Sequence, residues 1–287
     1  MSRSLPKSLA AMAAAAMLAG VAGCGSTTDT SSTTNVAAAD CTPDKMQTQT
    51  AGELTVATDK PAYPPYFEDN DPTNGKGFES ATAYAIADQL GYARSDVNWV
   101  TEPFNSSYAP GPKDFDFDVN QISITPARSE HVDFSAPYYT ANQAVLATKG
   151  SSAADAKSLS DLQDATIGVQ IGTTSLDAVN SEIQPSSQPK VFNDSNDVVS
   201  ALKEGQVDAV VTDLPTALYI TAAQVPDATV VGQFSAPGGD QWGALLAKGS
   251  PLTGCISKAI DDLRGSGELQ KIENRWMSQA ADAPTLK

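Results

Sequence analysis

Beyond Ala51 short apolar runs alternate with helical patterns, and this alternation constrains the fold more than any other feature of the 287-residue chain. Leu54 to Thr58, Asn98 to Thr101, Asp118 to Ile124, Ala144 to Ala147, Thr166 to Gln170, Val207 to Thr212, Thr229 to Val231 and Gly243 to Ala247 are rich in Val, Ile or Leu and read as buried strands. Between them, Ser80 to Leu90, Thr174 to Ser181, Val198 to Glu204, Pro215 to Ala223, Thr253 to Arg264 and Glu268 to Met277 read as helices. Strand and helix in alternation predict parallel βαβ units and an α/β architecture. Ligands of such sheets sit beyond the carboxyl ends of the strands. That rule selects four places: Asp59 with Tyr63 and Tyr66, Gln121 to Arg128, Gln170 to Ser175, and Thr212 to Pro215.

The first fifty residues read as an address. Arg3 and Lys7 precede an uncharged run of Ala, Met, Leu and Val from Leu9 to Gly23. The run is shorter than the roughly 20 residues a membrane-spanning helix needs, and it has the anatomy of a secretory signal peptide. It ends in Val21, Ala22, Gly23, Cys24, which resembles the lipobox of bacterial lipoproteins; an ordinary cleavage site with an incidental Cys is the other account. The expectation is a signal peptide over 1–23, a diacylglycerol on the Cys24 sulfur, and a lipid-anchored tether over 24–50 whose Ser, Thr, Ala and Asp residues show no apolar period. The site of action is then the extracytoplasmic face of the cell membrane. Export places the two remaining cysteines, Cys41 and Cys255, in an oxidising compartment, where an even pair reads as one disulfide.

Composition removes several functions. A net charge of −16 argues against nucleic acid, because phosphates must be met by clustered Lys and Arg. The single histidine, His131, excludes a multi-histidine metal site and leaves at most one imidazole for a catalytic triad. No metal and no cofactor is implied. Net charge says nothing of the ligand, since it acts on solubility and long-range steering and not on the contents of a pocket.

Ser123, Ile124, Thr125, Pro126, Ala127, Arg128 ends a strand and opens a helix, with Thr125 as N-cap and Pro126 at the first helical position. Arg128 is either a solvated first-turn cation or, since a cation opposes the dipole there, the partner of an external carboxylate. Gln170 to Ser175 is again a strand end, a Gly turn and a hydroxyl-rich helix start, which fits a plain capped helix or an anion site. Asp213 follows a strand and precedes Pro215, as a helix cap or as a ligand carboxylate would. Taken together these loops offer an anion clamp and one carboxylate, a set suited to a zwitterion.

The stretch Asp116 to Tyr139, reading DFDVNQISITPARSEHVDFSAPYY, with Gly168 to Thr174 and Val207 to Leu218, resembles family 3 of the bacterial extracellular solute-binding proteins, the polar amino-acid receptors of ABC importers. The likeness runs from about Gly52 to Met277. It implies a two-lobe, type II periplasmic-binding-protein fold with two hinge crossings, near Tyr139 to Gln143 and near Phe234 to Gln241. Lobe one would hold residues 51–141 and 238–287, and lobe two residues 142–237. The resemblance also assigns ligand roles. Arg128 would pair with the α-carboxylate, assisted by Thr174 and Thr173 of the opposite lobe. Asp213 would take the α-ammonium, with Ser123 and the backbone of Gln121 nearby. Tyr63 and Phe104 match aromatic walls, and Asp59 and Glu79 match acidic positions that meet a basic side chain in some relatives. His131 lies at a position the family does not use for ligands.

Two departures touch the side-chain pocket. Pro110, Gly111 and Pro112 stand where relatives continue a helix, and Asn120 and Gln121 stand where many have small residues. The implied activity is capture without chemistry by a monomer, with lobe closure around an amino acid and delivery to a membrane permease. Two alternatives use the same fold: an exported enzyme resembling cyclohexadienyl dehydratase, for which Glu79 or Asp59 would be the acid, and a ligand-sensing module.

Overall fold

The computed structural model describes residues 40–236, 238–277 and 283–287. The signal segment, Cys24 and the tether as far as residue 39 lie outside the described residues. In chain order the strands are β1 (Leu54–Thr58), β2 (Val97–Thr101), β3 (Phe117–Asp118), β4 (Val132–Ala141), β5 (Gln143–Thr148), β6 (Ile167–Gln170), β7 (Lys190–Phe192), β8 (Ala209–Asp213), β9 (Ala228–Phe234) and β10 (Asp240–Ala247). The helices are α1 (Phe78–Gln89), α2 (Phe104–Ser107), α3 (Pro126–Ser129), α4 (Thr174–Ala178), α5 (Ser195–Lys203), α6 (Leu214–Tyr219), α7 (Thr253–Gly265) and α8 (Glu268–Trp276).

Two five-stranded sheets carry the two lobes, in the orders β2-β1-β3-β10-β4 and β7-β6-β8-β5-β9. The βαβ expectation holds for half of each sheet. β1 is parallel to β2 and β3, with Val56 opposite Phe117, and β6 is parallel to β7 and β8, with Gly168 opposite Val210. The other half is antiparallel: β10 runs against β3 and β4, and β5 against β8 and β9. The cause is the hinge. Strands β4 and β5 follow one another across Ala141 to Gln143, and β9 leads into β10 across Phe234 to Asp240, so each lobe receives strands that enter from the other lobe.

Burial follows from strand chemistry. Every residue of β1 is buried, as expected for a strand covered on both faces. On β5, Val145 and Ala147 enter one core layer and Ala144 and Leu146 the other, the two-residue alternation of a pleated strand. In lobe one, Leu54, Val56, Phe78, Ile86, Phe117, Trp242, Ile256 and Ile260 form the main core. Cys41 and Cys255 join it as a disulfide, with Cα atoms 5.3 Å apart.

Three boundaries differ from the sequence reading. Residues 41–50, expected in the tether, are packed: Cys41 and Met46 are buried in the lobe-one core, and the Gln49 amide donates to Asp116 Oδ1 at 2.8 Å. Residues 283–287, expected in lobe one, lie on lobe two. Leu286 is buried among Val145, Val231 and Phe234, Thr285 bridges Gln233 in parallel, and Gln233 N donates to Pro284 O at 2.7 Å. The terminal residues thereby cover the open edge of β9, whose N-H and C=O groups would otherwise be unpaired. The expected strand from Asp118 to Ile124 stops after Asp118, because Gln121 adopts the left-handed region at φ 51° and takes the chain out of the sheet. Helix α2 ends after one turn, before the Pro110–Gly111–Pro112 segment.

Candidate functional site

Loops at the carboxyl ends of β1, β3, β6 and β8 converge on one cleft between the lobes, with a volume of about 440 Å³. Asp59, Tyr63, Phe104, Gln121, Ser123 and Arg128 line it from lobe one, and Thr173, Thr174 and Asp213 from lobe two. Nine of the ten expected ligand residues thus meet at one cavity. Glu79 does not.

Arg128 lines the cleft from a buried position. Thr125 caps α3, its hydroxyl accepting from Arg128 N at 3.2 Å, and Pro126 fills the first helical position. The guanidinium is only 7% exposed, which excludes the solvated first-turn cation. Nη1 donates to Ser123 O at 2.7 Å and Nη2 to Gly172 O at 2.8 Å, so one side chain joins both lobes. Its plane lies over Tyr108 and Phe104, 4.7 and 5.4 Å from the ring centroids, a favourable cation–aromatic arrangement. Burial lowers the guanidinium from its ordinary value, while Tyr108, Asp240 and Asp213 favour its charge. A guanidinium has five donors, so hydrogens remain for a carboxylate in the cleft.

Thr173 and Thr174 divide their work. The Thr173 hydroxyl is committed to the α4 N-cap, donating to Gln170 O at 2.8 Å and accepting from Leu176 N at 3.3 Å. The Thr174 hydroxyl donates to Asp240 Oδ2 at 2.9 Å and stands 3.3 Å from Ser123 Oγ across the cleft.

Asp213 ends β8 and its carboxylate makes no cap bond to α6, which removes the helix-cap account. Its Oδ1 accepts from Gln143 Nε2 at 2.7 Å. Burial, and then the neighbouring Asp240 carboxylate, push the Asp213 carboxyl well above the usual range, against Gln143 and Arg128, which pull it down.

The walls are aromatic. The Tyr63 hydroxyl donates to Asn196 Oδ1 of the opposite lobe, and its ring lies 6.1 Å from that of Tyr219. Phe104 packs edge-on against Tyr108 at 5.5 Å. Asp59 lines the cleft, and each of its oxygens accepts a main-chain N-H, from Lys60 at 2.6 Å and from Phe104 at 3.1 Å. Tyr66, buried, also lines the cleft, its hydroxyl 2.8 Å from Thr216 Oγ1 of the opposite lobe.

Glu79, expected to meet a basic ligand side chain, is fully buried behind Gln121. Its Oε1 accepts from Gln121 N at 2.7 Å and from Tyr138 Oη at 2.5 Å, and its Oε2 from the Gln121 amide. Desolvation pushes its pKa up to about 7, less than burial alone would, because those three bonds favour the charged form. Glu79 therefore holds the strained Gln121 turn in place. His131 is exposed and away from the cleft.

Sequence reasoning missed Asp240, Asn196, Tyr108 and Tyr219. Tyr108 packs on Phe104 and Arg128 within lobe one, whereas Asn196 and Tyr219 reach Tyr63, and Asp240 reaches Thr174, only where the lobes meet. Among the described residues no group of three His, Cys, Asp or Glu side chains could hold a metal ion. No described helix is long and apolar enough to cross a membrane.

Two mixed α/β lobes, two hinge strands and an interlobe cleft with a buried Arg define the two-lobe binding-protein class. Residues 54–279 match the family model of bacterial extracellular solute-binding proteins, family 3, and the chain belongs to that family. The arginine-binding extracellular protein ArtP of Bacillus subtilis (strain 168) is 30% identical over 218 residues, covering 74% of this chain and 82% of that protein. The L-cystine-binding protein TcyJ of Escherichia coli (strain K12) is 27% identical over 216 residues, covering 75% and 79%. Among solved structures, an ancestral arginine-binding protein bound to glutamine superposes with a TM-score of 0.66 at 33% identity, covering 79% of this chain and 98% of that one.

Proposed function

We propose that this protein captures the zwitterionic part of a polar amino acid between its lobes and delivers it to the permease of an ABC importer. The observation that carries this reading is that Arg128 and Asp213, a guanidinium and a carboxyl group, one from each lobe, face a single cavity. Arg128 would pair with the α-carboxylate and Asp213 with the α-ammonium. Thr174 and Ser123 would supply hydroxyl bonds, and Tyr63 and Phe104 would flank the side chain. Arginine, cystine and glutamine, the ligands named for the relatives above, share that zwitterion and differ beyond it.

Closure follows from where the groups sit. An amino acid held by Arg128 in lobe one gains Asp213 and Thr174 only when lobe two is docked, so binding favours the closed arrangement. Lipid attachment at Cys24 would keep the lobes at the extracytoplasmic face, and the Val21–Ala22–Gly23–Cys24 sequence supports it. Capture without chemistry is preferred to an exported dehydratase because Glu79 is sealed behind Gln121 and both Asp59 oxygens accept main-chain N-H groups.

A thermal-shift screen of the mature protein against the twenty standard L-amino acids tests the reading, since a ligand of the folded state raises its melting temperature by mass action. At least one polar amino acid should stabilise, and Arg128→Ala should weaken its binding by roughly 100-fold or more in calorimetry, the effect of truncating one side of a buried charge pair. Unchanged affinity in that variant would refute the assignment.

A further inference from the structure

Behind the cleft wall, outside the lining, one amide group ties two carboxylates together. Gln143 Nε2 donates to Asp213 Oδ1 at 2.7 Å and to Asp240 Oδ2 at 2.5 Å. The same Asp240 oxygen accepts from the Thr174 hydroxyl at 2.9 Å. Gln143 opens β5 and Asp240 opens β10, so this knot lies where both chain crossings pass between the lobes. Asp240 is 1% exposed, and its Oδ1 is buried with no hydrogen-bond partner, as is Gln143 Oε1. A buried carboxylate with an unmatched oxygen is costly, and a strand-forming residue would remove that cost.

We propose that Asp240 is a positioning residue for the ammonium half of the site: from behind the cleft it aims Asp213 and Thr174 at the ligand, and its charge, added to the burial of Asp213, makes the arrival of an ammonium group release a proton from Asp213. The inference rests on the amino-acid reading of the cleft.

The geometry sets the order of events. Asp213 and Asp240 meet at two hydrogens of one amide, in a region from which water is largely excluded, and two negative charges there repel. With the cleft open to solvent, one carboxyl relieves that repulsion by holding a proton. Asp213 is the one of the two that lines the cavity, whereas Asp240 stands behind it. An incoming ammonium brings a positive charge to that carboxyl, and the Asp213 proton passes to bulk buffer. The other charged or titratable groups around the pair are Arg128, Glu79, Tyr66 and Tyr139; Asp177 acts on Arg128. Burial and the Asp240 charge together hold the Asp213 proton up to well above ordinary carboxylate pH, in line with the geometry.

The test is calorimetric and uses, as probe, whichever of the nineteen amino acids other than histidine gives the largest thermal shift. Titration at pH 7 in phosphate and in Tris, whose ionisation enthalpies differ, counts protons exchanged on binding. Wild type should release protons on binding, and its affinity should rise as pH rises above the ordinary carboxylate range, by at most about tenfold per pH unit. Asp240→Asn keeps an oxygen for Gln143 and Thr174 but removes the charge, so the released proton count should fall below that of wild type, with burial of Asp213 left to hold the remainder. Asp240→Ala also leaves two donors unmatched and should weaken binding roughly tenfold or more at every pH. Glu79→Gln should retain the proton count. Binding without buffer dependence, an unchanged count in Asp240→Asn, or a count lost in Glu79→Gln would overturn this inference and leave the amino-acid reading standing. No binding of any amino acid by wild type would overturn both.

Discussion

Glu79→Gln should remove a pH dependence from the stability of this protein. In the fold Glu79 is fully buried and its pKa is raised from 4.5 to about 7 by desolvation. Above pH 4.5 the unfolded chain loses this proton while the folded protein keeps it until about pH 7, so the folded state binds more protons in that window and stability falls as pH rises. Stability owed to Glu79 is thus fully present below pH 4.5 and lost by the time pH passes 7. At about 1.4 kcal/mol per pH unit, that interval amounts to about 3 kcal/mol. A glutamine retains an oxygen for Gln121 N and Tyr138 Oη but points an amide donor at the Gln121 amide, a cost that does not vary with pH. The slope is therefore the readout and not the absolute stability. Urea unfolding of both proteins at half-unit steps from pH 4.5 to 8, with the disulfide intact, gives the unfolding free energy by linear extrapolation. The wild-type curve minus the variant curve should descend by about 3 kcal/mol across the window. A difference curve flat to within about 1 kcal/mol would refute the placement of Glu79 as a buried acid behind Gln121, and would reopen its reading as a residue facing the ligand.

Other consequences are equally direct. Replacing both Cys41 and Cys255 by Ser opens a loop of sequence separation 214 and should cost about 5 kcal/mol by chain entropy, read as a lower urea midpoint, with amino-acid affinity retained. Ending the chain before Ala283 uncovers the groove that buries Leu286 and the edge of β9, and should lower stability by about 2 kcal/mol in thermal or urea unfolding. Gly232→Ala should give a similar loss by displacing the tail, since an added Cβ would lie 2.6 Å from Leu286 Cγ. Gly172→Ala combines a left-handed φ of +72° with a Cβ 2.3 Å from the Tyr108 hydroxyl, and its carbonyl is an Arg128 acceptor; calorimetry should show affinity about tenfold weaker, and the backbone strain should lower stability by about 1 kcal/mol in urea unfolding.

What the sequence left unread in the sheets is the set of partners chosen by position in space. Residues 54–58 were legible as a strand because a run of apolar residues buried on both faces has one main use in an α/β protein. The strand β4 was missed because it alternates Val132, Ser135 and Tyr138 with polar and aromatic residues and serves as a hinge, and the direction of β5 and β10 is set by that crossing. The residues 283–287 have no pattern of their own, and only the uncovered edge of β9 explains where they go.

By itself the sequence determined the things that depend on residue type and short spacing. These are the α/β class, the carboxyl-end loops that carry Arg128, Thr174 and Asp213, the capped start at Thr125 and Pro126, and the candidate cysteine pair. Hydrophobic period, capping chemistry and thiol count act over a few residues or need no geometry. Only the tertiary structure decided which groups face the cleft and which stand behind it. Glu79 and Asp213 are both acidic residues beside apolar runs, yet one is sealed under Gln121 and the other opens to the cavity. Asp240, far along the chain, becomes the neighbour of both Gln143 and Thr174. Burial and the approach of charges separated by a hundred residues are properties of packing, and no local pattern encodes them.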